Sequence, residues 1–383
     1  MEEEINELFN QSIWGKAGIV ERAKKYNWYH DNETPDDGKS FYWGPKTKSE
    51  SDKFKYDLDK LDFTGEDNLT KDKKETPCDR SIAWGIPNQI IGNPKEANFF
   101  VCLLNPRTRT DSPDNDNLKK YIIEENEEII DNNPDNEKEY FKKIEKEGLD
   151  PYDKYIKHII NTEENVLERE VSDLKKDGKW KDNPEDLDSN FYKKYYYLHK
   201  YYNFIFRDRL NEYWPKDEGK FSSAEYNVFK AFRNGWIDPK DLKICNLELF
   251  PYRTNSGSGI KFKKDSKGKR YSYKDLDVSL FAAEQIVSRI ENDLEENGPD
   301  EGRNKRLVFV FRSYTNWANT IKAYIASDKC KKQYGKIKFS DLEDYFYRFP
   351  NQSGSLSQNN IYKVKMPDDQ YNNMQDILKP EKK

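Results

Sequence analysis

The polar residues best placed to do chemistry fall in four small sets: Asn105 with Arg107, Asn246 with Glu248, Arg312 with Ser313, and Asn351 with Ser353. Each set closes an apolar run of strand length, so amide, carboxylate, guanidinium and hydroxyl groups arrive at strand ends. Groups of this kind hydrogen-bond the edges and the anionic parts of a ligand. The four cysteines (78, 102, 245 and 330) stand far apart with no C-x-x-C spacing, and the histidines are only three (30, 158 and 199). That spacing supports neither a zinc nor an iron–sulfur site, so no metal and no cofactor is expected.

Rigid elements must hold these groups. Phe99 to Leu104 is an unbroken apolar run rich in residues suited to a pleated strand, apolar on both faces as a central place in a parallel sheet demands. Asn105-Pro106 stops it, because proline has no N–H for the ladder and biases Asn105 toward extended geometry. Leu242 to Phe250 holds a second buried strand, Arg306 to Ser313 a third and Tyr345 to Pro350 a fourth, with 351–357 as its exit loop. Between them lie helical patterns at 221–235, opened by a capping box at Ser222 and Glu225, at 277–296 and at 317–326. Strands alternating with helices imply right-handed crossovers and a three-layer α/β/α fold around a mainly parallel four-stranded sheet. Ligands bind such sheets at the carboxyl edge, so the four exits are expected to share one pocket.

Composition sets the surroundings. Of 383 residues, 34% are hydrophobic and 36% charged, so much of the chain is solvated surface or extended loop. Residues 1–75 read as a helical cap with a polar loop, 76–110 and 201–365 as the α/β core, 111–200 as a charged helical insertion and 366–383 as a tail. Within the insertion, 124–131 and 140–147 look helical. Phe191 to Leu210, dense in tyrosine, suits a helix packed on the sheet. The net charge of -5 excludes a uniformly basic coat, yet eight Lys or Arg residues against Asp265 alone occupy 253–274. A local basic face of that kind can hold phosphate. The start lacks the basic and apolar regions of a signal peptide and no apolar run reaches membrane-spanning length, so a soluble, cytoplasmic protein is expected.

The segments "IIGNPKEANFFVCLLNPRT", "ICNLELFPYR", "LVFVFRSYTNW" and "FPNQSGSLSQNN", in this order, resemble the motifs of the uracil-DNA glycosylase superfamily. The resemblance covers roughly residues 85–110 and 240–360. It implies a DNA glycosylase that flips a base out of duplex DNA and hydrolyses its N-glycosidic bond. Asn105, with Pro106 and Arg107, would seat the water, and Asn351 would stand in the final catalytic loop. Asn246, with Glu248 and Phe250, would hold the base. Arg253, Lys261, Lys263, Lys264, Arg312, Ser313, Ser353, Ser355 and Ser357 would bind DNA, and Leu356 would fill the vacated space. Departures at Asn105 (not Asp), Arg107 (not Gly) and Asn351 (not His) point away from plain uracil toward a larger, modified base. In this they resemble the Brig-type anti-phage glycosylases, which excise glucosylated hydroxymethylcytosine. The alternative is a non-catalytic nucleic-acid or nucleotide-binding protein on the same fold.

Overall fold

The computed structural model describes residues 8, 60–62, 87–106, 159–207, 209–215, 224–252, 260–298, 306–349, 355–357, 361–363, 374 and 376–379. Among the described residues, seven strands form one sheet: β1 (Ile90–Ile91), β2 (Phe99–Leu103), β3 (Ile160–Asn161), β4 (Ile244–Glu248), β5 (Val308–Phe311), β6 (Phe346–Arg348) and β7 (Tyr362–Lys363). Their order is β3-β1-β4-β2-β5-β6-β7. The inner four, β4-β2-β5-β6, run parallel and are the apolar runs legible in the sequence. The expected four-stranded sheet is thus too small. β1 pairs antiparallel with β4, β3 parallel with β1, and β7 antiparallel with β6. Each added strand is two residues long, too short to leave a periodic signature.

Alternation along β2 explains the two cores. Phe100 and Cys102 enter one hydrophobic cluster, while Phe99, Val101 and Leu103 enter another on the opposite face. The second face is covered by α1 (Val166–Lys176), α2 (Ser189–Lys194), a π-helical turn (Leu198–Tyr202), α3 (Asn203–Arg207) and α4 (Ala224–Arg233). The first is covered by α5 (Asp277–Asn297) and α6 (Tyr314–Ala326), which lead on to α7 (Asp328–Tyr334) and α8 (Phe339–Leu342). From β2 the chain turns toward β4 over one face. It returns to β5 and β6 over the other, as a single crossover hand requires.

Residues 159–200, within the segment read as a charged insertion, supply β3 and the helices whose apolar sides complete the second cluster. The helices expected at 124–131 and 140–147, the capping box at Ser222, and residues 1–75 apart from 8 and 60–62 lie outside the described residues. Near the other end, Met374 and Leu378 are buried in the second cluster.

Candidate functional site

Register decides which side chains meet. Asn246 on β4 stands opposite Val101, Val101 opposite Val310, and Val310 opposite Tyr347. One step nearer the carboxyl edge, Glu248 stands opposite Leu103. Arg312, whose N–H donates to Cys102 O at 2.8 Å, and Phe349, whose N–H donates to Phe311 O at 3.0 Å, extend that row. Both rows face the second cluster. The chain reverses its direction of travel across the sheet between β2 and β5, and the crevice beyond such a reversal is where α/β sheets bind ligands.

The π-helical turn roofs this face. Tyr202 Oη donates to Asn246 Oδ1 at 3.3 Å, and its ring lies 6.2 Å from Phe99. The Arg312 guanidinium sits 5.3 Å over the Tyr201 ring, and Tyr201 in turn is 6.1 Å from Phe349. Glu170 of α1 anchors the turn: its two carboxylate oxygens accept the N–H groups of Tyr197 at 2.8 Å and Leu198 at 2.7 Å. Burial pushes this carboxyl up to about 8, against those two bonds, which pull it down. Burial likewise raises the hydroxyls of Tyr202 and Tyr347 and the thiols of Cys102 and Cys245, leaving both thiols protonated and inert.

Asn246 is only 3% exposed and Glu248 4%. Among the described residues, Asn246 Nδ2, Arg312 Nε and Tyr347 Oη are buried without a hydrogen-bond partner. A buried orphan costs about 1–3 kcal/mol, so each of these calls for a ligand or another explanation. An amide amine, a guanidinium and a carboxylate beside tyrosine rings can hold a planar heterocycle by its polar edge. Among the described residues, no group of His, Cys, Asp and Glu is placed to hold a metal ion.

The structure gathers some of the expected site residues and separates others. Asn246, Glu248 and Arg312 share one face. Asn105 lies two residues past Leu103, where β2 ends. Its amide donates to the neighbouring Pro106 O at 3.1 Å. Phe250 belongs to the first cluster, against Tyr252 and Tyr273, on the opposite face from Asn246. Leu356 is fully buried in the second cluster. Ser355 is buried and Ser357 half-buried beside it. Ser313 adopts a left-handed backbone (φ 55°, ψ 48°) and heads α6 without capping it; among the described residues it is the one non-glycine with positive φ. Lys263 and Lys264 are exposed and Lys261 half-buried on a basic hairpin. Arg107, Arg253, Asn351 and Ser353 lie outside the described residues.

Tyr201, Tyr202, Tyr347 and Glu170 are the participants that sequence reading missed. The available signal was chemical: tyrosines, rather than phenylalanines, at positions whose spacing reads as core. Comparison with protein-family models, curated proteins and solved structures gives no match to this chain. Among the described residues, no helix is long and apolar enough to cross a membrane.

Proposed function

We propose that this chain is a DNA glycosylase that takes an extruded, modified base at the carboxyl edge of β4, β2 and β5. The observation that carries the reading is Asn246. It is buried at the strand position that the resemblance assigns to the base edge, its oxygen held by Tyr202 and its amine without a partner. Extruding a base from a duplex costs a few kcal/mol, which edge hydrogen bonds and stacking on tyrosine offset. Asn246 Nδ2 donates to an acceptor on the base, while Arg312 and Glu248 supply a donor and an acceptor from the next row. In the reaction the C1′–N bond breaks, water oxygen bonds to C1′, and the water proton passes to solvent or to the departing base. The sugar carries cationic character in the transition state, and the phosphates of the DNA itself stabilise it. The substitutions at Asn105, Arg107 and Asn351 favour a modified base over plain uracil, glucosylated hydroxymethylcytosine being the first to try.

The test is to incubate the protein with duplexes carrying different modified bases and to look for free base and abasic sites. One substrate should yield both, and Asn246→Ala should cut release at least about a hundredfold, as loss of one preorganised donor does, with the circular dichroism spectrum unchanged. Asn105→Ala tests the water-seating role: full activity in that variant removes Asn105 from the mechanism. A second reading, binding without cleavage, is favoured by Arg107 and Asn351 standing where the resemblance has Gly and His. Tight DNA binding with no base released from any duplex selects it.

A further inference from the structure

The segment after β4 forms a basic finger at the same edge of the sheet. Phe250 N–H donates to Leu104 O at 2.8 Å, level with the Asn105 turn; Tyr273 packs 6.1 Å from Phe250, and Phe262 packs 5.2 Å from Tyr273. From that aromatic root the chain runs out and back, with Lys264 bridged antiparallel to Arg270. The finger is braced on both sides. Lys263 N–H donates to Lys60 O at 2.8 Å and Asp62 N–H to Lys261 O at 3.0 Å, while Tyr271 N–H donates to Lys263 O at 3.0 Å.

Its single acid is consumed internally. Asp265 Oδ1 accepts the N–H groups of Lys267 and Lys269, each at 2.9 Å, and its carbonyl accepts from Gly268 at 3.0 Å. Gly268, at φ +81°, makes the left-handed step that closes the loop. Lys263, Lys264, Lys267, Lys269 and Arg270 are exposed. Among the described residues, none of these lysines enters an ion pair. A chain of net charge -5 therefore holds, on a preorganised loop, a cluster of like charges that repel one another.

We infer that this finger, rooted in the first cluster on the face opposite Asn246, grips the phosphate backbone of DNA at the carboxyl edge of the sheet. The inference rests on the reading of DNA as the ligand, and extends it to Lys267, Lys269 and Arg270. Charge complementarity requires a polyanion, and the lack of an apolar anchor narrows the choice. Protein interfaces are centred on buried aromatic or aliphatic hot spots, whereas nucleic-acid interfaces are polar and strongly positive. The large hydrophobic residue exposed among the described residues is Tyr196, on the other face of the sheet, not on the finger. Rigidity adds to the case, because a braced loop loses little freedom on binding.

Affinity of the full chain for an unmodified duplex, followed by fluorescence anisotropy over a range of salt, tests the inference. The measurement is repeated with the combined variant Lys263→Gln, Lys264→Gln, Lys267→Gln and Lys269→Gln, whose changes lie on exposed side chains and whose fold is checked by melting temperature. Each phosphate contact contributes about 0.9 to the slope of log K against log salt, so the slope should fall by roughly 3 to 4 in the variant. An unchanged slope overturns the inference, as does wild-type protein binding polyglutamate as tightly as DNA with the variant losing both. Failure of the glycosylase reading looks different: DNA is bound with the full slope, yet no base is released.

Discussion

Glu170 is held where a carboxylate is costly, and its position makes a pH-dependent brace for the turn that carries Tyr201 and Tyr202. The carboxyl rises from its ordinary 4.5 to about 8 in the folded chain, chiefly through burial. Below about pH 4.5 it is protonated in folded and unfolded chains alike, and its contribution to stability is fully present. Between there and about 8 the unfolded chain releases the proton first, so stability falls as pH rises and levels off above the folded value. Glu170→Gln removes this slope. Urea unfolding at pH 5 and pH 8 should show wild type losing about 2–4 kcal/mol more than the variant between the two. Parallel losses would mean that the carboxyl titrates normally. Because the π-helical turn roofs Asn246, ligand affinity should weaken over the same range only if the turn shifts when Glu170 ionises.

Elements that ended in a clear chemical stop were legible, and those that depended on a local departure from regular geometry were not. β2, β4, β5 and β6 announce themselves as apolar runs closed by proline or a polar residue, and with them Asn246, Glu248 and Arg312. α5 is observed over 277–297 against an expected 277–296. α6 begins at Tyr314, three residues earlier than its spacing suggests, because the left-handed Ser313 turns β5 directly into the helix. Tyr201 and Tyr202 both face inward because they sit in a π-helical turn, a pitch that leaves no sequence period of its own. Asn105 follows two residues after β2 ends at Leu103, the partner of Glu248, so no strand register fixes its place relative to Asn246. α1 shows how an element is tied to the site strand. Asn165 Oδ1 accepts the N–H groups of Leu167 and Glu168, while its Nδ2 donates to Pro239 O at 2.8 Å and Leu242 O at 3.0 Å, just before β4. Asn165→Ala loses the cap and strands two carbonyls, so it should cost about 2–4 kcal/mol in denaturant unfolding. Asn165→Ser, which restores the cap alone, should recover roughly 1 kcal/mol of that. A loss below half a unit for Ala would show that water replaces the tie.

Across the whole molecule, a parallel heart covered on both faces is extended on each flank by short strands, and the two parts are held by different physics. β2 and β5 are buried at every position between two clusters, so they open only with global unfolding. β1, and β3 beyond it, pack against β4 at a close approach. Gly92, at φ +102°, follows β1, and a Cβ built there would stand 2.2 Å from Ile244 O. Its N–H donates to Asn161 O at 2.8 Å, and among the described residues β3 has β1 as its one neighbouring strand. A side chain at position 92 must therefore push β1 off β4 and carry β3 with it. Gly92→Ala should lower stability by about 2–3 kcal/mol, from combined clash and backbone strain. Hydrogen exchange locates the damage: Ile91 and Gly92 should lose protection at denaturant levels where Val101 and Val310 keep theirs. Equal loss at all four positions would mean that the sheet opens as one unit, and that the β3–β1 flank is as firmly built as the strands that carry Arg312 and Asn246.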